Sequence, residues 1–178
     1  MIKFIFEKVL GWEIVGSFDP SIKKSVVVVA PHTSWHDFYI GAFARNILAT
    51  EINYVGKKEL FKLPFGWYFK WMGGAPIERS KNNNTVDQIV EVFNKRDTFR
   101  LAIAPEGTRK KVKDWKTGFY HIAKKANIPV IPVAFDYKLK QVVIHEPFTV
   151  LEDAQTTIKY LKQHYKGVEG KEKGKFEL

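Results

Sequence analysis

One short run of valines constrains the fold of this 178-residue chain more than any other feature. Residues 25–30 include four consecutive valines, and the run ends at Pro31. A short β-branched segment that stops at a proline is typical of a strand buried on both faces. Such strands occur in parallel or mixed sheets whose two faces are covered by helices. The run therefore predicts an α/β fold with a covered central sheet.

Strand-like and helix-like segments alternate along most of the chain. Further strands are predicted at 52–55, 75–78, 99–104, 130–135 and 141–145. Helices are predicted at 38–49, 86–93, 118–126 and 156–166, with two short ones around Pro64 within 57–72 and a turn at 80–84. This alternation predicts a single domain over residues 1–166, with a mixed, largely parallel central sheet flanked by helices.

The two ends of the chain differ from the middle in composition. Residues 1–14 predict an amphipathic helix whose apolar side consists of Ile2, Ile5, Phe6, Val9 and Leu10. This helix either closes over the protein's own core or lies on a membrane, with Phe4, Phe6 and Trp12 among the head groups. Residues 167–178 are rich in glycine and charge, so we expect a mobile charged tail.

Positive charge is concentrated in the middle of the sequence. The formal net charge is +10, and residues 57–125 contain 16 basic and 7 acidic residues. A localised basic surface favours anionic partners such as a bilayer, an acidic carrier or nucleic acid. The absence of cysteine excludes thiolate nucleophiles and zinc–cysteine sites. No apolar run approaches the roughly 18 to 20 residues that cross a bilayer.

Polar residues follow the valine strand directly, and strand ends in open α/β sheets are where sites collect. Residues 32–37 are HTSWHD. A neutral imidazole is a good general base, and a carboxylate on its other nitrogen fixes the tautomer. His32 and Asp37 can form such a pair only if His32 lies in the turn and Asp37 in the first turn of the next helix. The alternative, a metal pair of His32 and His36, lacks the glutamate of the zinc protease motif, so no metal is expected.

A second group of polar residues follows the strand predicted at 99–104. Residues 106–109 are EGTR, a small glycine-containing turn that offers backbone N–H groups, a hydroxyl and a guanidinium to an anionic oxygen. Arg79 follows the strand predicted at 75–78 in the same way. Each of these motifs, taken alone, is more often structural.

Together and in this order, the blocks resemble those of the glycerolipid acyltransferase family, which includes 1-acylglycerol-3-phosphate acyltransferase. The resemblance covers roughly residues 25–148 and includes the apolar block at 130–133. It implies that His32 is the general base and that Asp37 orients it. The substrate-binding residues that it implies are Arg79, Glu106, Gly107, Thr108 and Arg109.

The resemblance implies transfer of a fatty acyl group from an acyl thioester to the hydroxyl of a lysophospholipid, most directly lysophosphatidate, in phospholipid biosynthesis. Acyl-CoA or acyl carrier protein would be the co-substrate, and no cofactor is expected. Two alternatives stay open: an acyltransferase for a phosphate-free lyso-lipid such as an amino-acid lipid, and a non-catalytic basic module that binds membranes or RNA. The aromatic cluster at 65–71 lacks a recognised RNA-binding motif, so we do not expect nucleic acid as a partner.

A basic run follows the EGTR turn. Lys110, Lys111 and Lys113, with Trp115 as an interfacial anchor, are suited to contact anionic lipid head groups. An acidic carrier protein or the phosphates of coenzyme A would fit the same face, and a solvated loop is the plain structural alternative. We therefore expect a cytoplasmic protein that is peripherally attached to the cytoplasmic face of a membrane.

Overall fold

A computed structural model of the chain describes residues 1–62, 64, 66–67, 73–77 and 85–178. Its strands are β1 (Glu13–Val15), β2 (Lys24–Ala30), β3 (Tyr54–Lys57), β4 (Gly74–Ile77), β5 (Phe99–Ile103), β6 (Val130–Asp136) and β7 (Gln141–Ile144). Its α-helices are α1 (Ile2–Phe4), α2 (His36–Ile47), α3 (Thr85–Lys95), α4 (Gly118–Ala126) and α5 (Ala154–Lys162). A π-helix (Ile5–Val9) continues α1, and 3-10 turns cover Lys58–Phe61 and Gln163–Tyr165. Arg79, the turn predicted at 80–84 and part of the segment 57–72 lie outside the described residues.

The main sheet has five strands in the order β1-β7-β6-β2-β5. Strands β6 and β7 are antiparallel, and the other neighbouring pairs are parallel. Strands β3 and β4 pair in parallel, and Asn53 connects them to β5. Its N–H donates to the Arg100 carbonyl at 2.7 Å, and its carbonyl accepts the Ala102 N–H at 2.8 Å. The predicted mixed, largely parallel sheet is confirmed.

Helices cover both faces of the sheet because the side chains of β2 alternate between two apolar clusters. Val26 and Val28 pack in the cluster that contains residues of α3, α4 and α5. Val27 points to the opposite face and packs with residues of α2 and of the N-terminal helix, Ile2–Val9. All three valines are at most 1% exposed. The strand is therefore buried on both faces, as the valine run predicts.

The N-terminal helix is anchored by one side chain. Phe6 is fully buried and stacks on Phe43 of α2, with 5.9 Å between the ring centroids. Trp12 is buried in the same cluster, so the alternative that places Phe6 and Trp12 among lipid head groups is wrong for these two residues. Phe4 and Val9 remain 64% and 67% exposed. None of the helices in the described part of the chain is long and apolar enough to cross a membrane.

The C-terminal segment, residues 167–178, makes packing contacts with the domain, whereas its composition predicts a mobile tail. Gly170 is buried so tightly that a Cβ atom at this position would lie 2.7 Å from the Thr33 side chain. Phe176 lies against Trp115, with 6.4 Å between the ring centroids, and Glu177 forms an ion pair with Lys111. The composition of this segment favours disorder, but the contacts of Gly170 with Thr33 and of Phe176 with Trp115 place the segment against the domain.

Candidate active site

Three parallel strands, β2, β5 and β6, end at the same edge of the sheet. His32 follows β2, Glu106 follows β5 and Tyr137 follows β6. In open α/β sheets, ligands bind in the crevice beyond the carboxyl ends of the strands. The topology therefore brings residues that are distant in sequence to one candidate site.

His32 and Asp37 lie side by side in the arrangement that their spacing requires. Asp37 is in the first turn of α2, which begins at His36, and His32 lies in the turn before the helix. His32 Nδ1 is 3.0 Å from Asp37 Oδ2. An ionised carboxylate only accepts hydrogen bonds, so Nδ1 carries the proton and Nε2 is left as an acceptor. The pair has the geometry of a general base and its orienting carboxylate, while its catalytic role stays a prediction.

The Asp37 carboxylate is buried and accepts hydrogen bonds on both oxygens. Oδ2 also accepts the Ser34 N–H at 3.0 Å, and Oδ1 accepts the Tyr137 hydroxyl at 2.7 Å. Burial by itself would raise the pKa of Asp37, but the hydrogen bonds from His32, Tyr137 and Ser34 outweigh it and hold the pKa below its ordinary value. Asp37 is therefore ionised at neutral pH.

Glu106 is buried against the backbone of His32 instead of facing the open surface. The residue is 4% exposed, and its Oε1 accepts the His32 N–H at 2.9 Å. Its Oε2 is buried with no hydrogen-bond partner in the described part of the chain. Burial raises the pKa of Glu106, and the bond from the His32 N–H offsets only part of this effect. This position lets the Glu106 carboxyl hold the His32 turn, and its contact with substrate stays a prediction.

The turn that follows presents donor groups to the surface. Gly107 has φ +64°, in the left-handed region that favours glycine. The Lys116 side chain lies against it, since a Cβ atom on Gly107 would be 2.7 Å from Lys116 Nζ. Thr108 is half-buried and Arg109 is exposed. These groups form a cationic, donor-rich surface, and substrate binding by Gly107, Thr108 and Arg109 stays a prediction.

The basic run after this turn divides into exposed lysines and a buried tryptophan. Lys110, Lys111 and Lys113 are exposed. Trp115 is only 5% exposed and packs against Tyr165, with 5.5 Å between the ring centroids. The prediction that Trp115 is an interfacial anchor is wrong, because the core and the C-terminal segment cover its ring.

An apolar cleft opens beside the His32–Asp37 pair, on the face of the sheet that α2 covers. Its volume is about 310 Å³. Val27, Val133 and Phe135 of the sheet line it, and the small residues Gly41 and Ala44 of α2 leave the space open. Polar lining residues other than the His32–Asp37 pair are Arg45, Asn53 and Tyr54. A single sequence gives no signal for this cleft, because its walls come from alternate positions of several strands and one helix.

Exposed apolar side chains lie on the same side of the sheet as the cleft. They are Phe4 and Val9 of the N-terminal helix and Trp35, Phe38 and Tyr39 at the start of α2. Their exposed fractions range from 41% for Phe38 to 67% for Val9. Phe38 also lines the cleft. We call these five residues the apolar rim.

Comparison with known proteins gives the same assignment as the motifs. The profile of the family described as Acyltransferase matches residues 13–136. A 1-acyl-sn-glycerol-3-phosphate acyltransferase of Streptococcus pneumoniae is 32% identical over 65% of this chain and 43% of its own length. Its counterpart of the same name in Escherichia coli is 32% identical over 61% of this chain and 46% of its own length. The Saccharomyces cerevisiae protein of that name is 29% identical over 62% of this chain and 38% of its own length.

The family match covers well over half of the chain, and the fold and the His32–Asp37 geometry agree with it. The chain therefore belongs to the Acyltransferase family. The matched region spans less than half of each of these curated relatives.

The raised pKa of Glu106 predicts a pH-dependent stability. The folded protein holds the Glu106 proton more tightly than the unfolded chain does, so the contribution of this residue to stability is lost as pH rises above the ordinary value of 4.5. Glu106→Gln keeps an oxygen for the His32 N–H but does not ionise. Thermal unfolding followed by circular dichroism should show the Tm of the variant, relative to the parent, rising from pH 4.5 to neutral pH.

Asp37→Asn is the matched control with the opposite sign. The lowered pKa of Asp37 contributes stability that is present above the ordinary value of 3.8 and lost as pH falls below it. The Tm of Asp37→Asn relative to the parent should therefore fall as pH rises. A pH-independent Tm difference for Glu106→Gln would contradict the assignment of a raised pKa to Glu106.

Proposed function

We propose that the chain is an O-acyltransferase that moves a fatty acyl group from an acyl thioester to the hydroxyl of a lysophospholipid. The observation that carries this proposal is the position of the His32–Asp37 pair beside an apolar cleft. The name shared by the three relatives supports lysophosphatidate as the acceptor and phospholipid biosynthesis as the setting.

The reaction uses the unprotonated Nε2 of His32 as a base and the negative charge of Asp37 to stabilise the protonated ring. His32 Nε2 takes the proton of the acceptor hydroxyl while the hydroxyl oxygen attacks the thioester carbonyl carbon. Asp37, ionised and bonded to Nδ1, stabilises the imidazolium that forms. The tetrahedral intermediate then breaks its carbon–sulfur bond, and the leaving thiolate takes the proton from His32. General base catalysis of this kind is worth roughly 10²- to 10⁴-fold in rate.

The cleft is suited to the alkyl chain of the acyl donor. Apolar residues of the sheet and of α2 make up most of its lining, and burying an alkyl chain there gains about 0.8 kcal/mol per methylene group. A chain lying in the cleft would bring its thioester carbonyl to His32, the residue that lines the polar end. Holding both reactants in this way makes the attack effectively intramolecular.

The basic turn is suited to the phosphate groups. Arg109 and Lys116 carry positive charge at the surface next to Gly107, where a phosphorylated acceptor would gain charge-assisted hydrogen bonds. Lys110, Lys111 and Lys113 extend this charge toward an acyl-CoA or an acidic carrier protein. A donor or acceptor of this kind needs no bound cofactor.

The direct test is acyl transfer by the purified protein from acyl-CoA or acyl carrier protein to lysophosphatidate. His32→Ala and Asp37→Asn should each lower kcat/KM by at least about 10²-fold, because the first removes the base and the second removes the carboxylate that orients it. Both variants should remain folded by circular dichroism. His36→Ala is the matched control in the same turn, since the His36 ring contacts Ser34 Oγ and not Asp37.

Three outcomes of this assay would contradict the proposal. Undiminished transfer by His32→Ala would remove His32 as the base. Transfer that prefers a phosphate-free monoacyl acceptor over lysophosphatidate would assign the chain to a different acceptor class. Absence of transfer with every donor, together with intact binding to lipid or RNA, would support a non-catalytic basic module.

The apolar rim supports attachment to a membrane surface, and we propose that this is the cytoplasmic face. Aromatic and aliphatic side chains that lie at a lipid interface gain free energy from burial among the head groups and upper acyl chains. The rim lies on the cleft side of the sheet, and Phe38 belongs to both the rim and the lining of the cleft. A bilayer on this side would deliver a lipid acceptor close to His32.

Replacing the two most exposed rim residues tests this surface. Phe4→Ser with Val9→Ser should lower partitioning into vesicles of phosphatidylcholine and phosphatidylglycerol by about tenfold or more, measured by sedimentation. Leu151→Ser removes a part-exposed apolar residue that precedes α5, the helix that packs on the opposite face, and should leave partitioning unchanged. Equal partitioning of the rim variant and the parent would place the membrane contact elsewhere.

A further inference from the structure

Tyr137 lies in the candidate site, although no sequence motif includes it. It directly follows β6, and its hydroxyl donates to Asp37 Oδ1 at 2.7 Å. We propose that Tyr137 is a positioning residue, which fixes the Asp37 carboxylate so that His32 presents Nε2 to the cleft. This inference rests on the proposed function, in which His32 is the base.

The hydrogen-bond inventory of Asp37 shows why a donor is needed there. Oδ2 accepts from His32 Nδ1 and from the Ser34 N–H, and both groups belong to the same turn as the carboxylate. Oδ1 receives its donor within the described part of the chain from Tyr137 alone. Asp37 is only 3% exposed, so bulk water does not replace a missing donor. Without the Tyr137 hydroxyl, the carboxylate would be held on one oxygen only and could rotate.

Tyr137 is itself held by contacts from both ends of the chain. Its backbone N–H donates to the Glu169 carbonyl at 2.9 Å. The Trp12 ring meets its ring edge to face, with 4.9 Å between the centroids. Lys171 Nζ lies 5.7 Å from the ring centroid. These contacts leave the hydroxyl aimed at Asp37, which is the condition for a positioning role.

The protonation states around Asp37 suit this role. Burial and the neighbouring Asp37 carboxylate raise the pKa of Tyr137, so the phenol remains a donor at any pH at which the protein works. The other ionisable groups that face Asp37 are His32 and Glu106. The Tyr137 bond withdraws charge from the carboxylate and thereby weakens it as an acceptor for His32.

The test is Tyr137→Phe, which removes the hydroxyl and keeps the ring. We expect kcat for acyl transfer to fall by about 10- to 100-fold with little change in either KM, because the base is misaligned while the binding surfaces are intact. The ¹⁵N chemical shifts of the neutral His32 imidazole should show a smaller population protonated at Nδ1, because the carboxylate that accepts this proton is no longer fixed. This NMR measurement needs no turnover, so it separates failure of this inference from failure of the proposed function.

Tyr165→Phe is the matched control. Tyr165 is fully buried, and its hydroxyl donates to the Val28 carbonyl at the same distance, 2.7 Å, without touching Asp37. Its removal should lower the Tm and leave both kcat and the His32 tautomer unchanged. A parent-like kcat and a parent-like His32 tautomer in Tyr137→Phe would overturn the proposal, as would equal changes in the two variants.

A second substitution covers the case in which Tyr137→Phe does not fold. Incorporation of 3-fluorotyrosine at position 137 keeps the ring and the hydroxyl but makes the phenol more acidic and a stronger donor. The carboxylate should then accept more weakly from His32, and the Nδ1–H proton signal of His32 should move to higher field than in the parent. A signal at the parent's position would contradict coupling between Tyr137 and His32.

Discussion

Two buried carboxylates hold the candidate site together, and the rest of its geometry depends on them. Asp37 accepts hydrogen bonds from His32, which follows β2, and from Tyr137, which follows β6. Glu106, which follows β5, accepts the backbone N–H of His32. The bond from Tyr137 to Asp37 and the bond from His32 to Glu106 each join the ends of different strands, so the parallel sheet and the site stabilise one another. A buried carboxylate without these donors would be costly, which makes the arrangement specific.

The site places opposite chemical environments side by side. The His32–Asp37 pair is polar and hydrogen-bonded, whereas the cleft next to it is lined mainly by apolar residues of the sheet and α2. The surface around Arg109 is cationic. A reaction between an alcohol on an anionic lipid and an activated alkyl chain requires all three environments at one point. A bilayer in contact with the apolar rim would supply the lipid acceptor at the same point.

The sequence predicts those features that depend on neighbouring residues. The valine run identifies β2 because burial on both faces depends on residue type alone, and the spacing of His32 and Asp37 fixes how they can meet. Tyr137 is absent from the sequence prediction because it contacts Asp37 across 100 residues and carries no local motif. The sequence also does not predict the burial of Trp115 or the packing of residues 167–178, because both depend on contacts between residues that are distant in sequence. The composition of a segment indicates how much apolar surface it contains, not which distant residues will pack against it.

The proposed base depends on Asp37, which fixes the tautomer of His32. In the uncharged ring, Nδ1 should carry the proton and Nε2 should be bare, since Asp37 accepts at Nδ1. The most direct measurement is the pair of ¹⁵N chemical shifts of the His32 imidazole in the alkaline range, where the ring is neutral. We expect a protonated Nδ1 and an unprotonated Nε2. A protonated Nε2, or equal populations of the two tautomers, would contradict this role of Asp37.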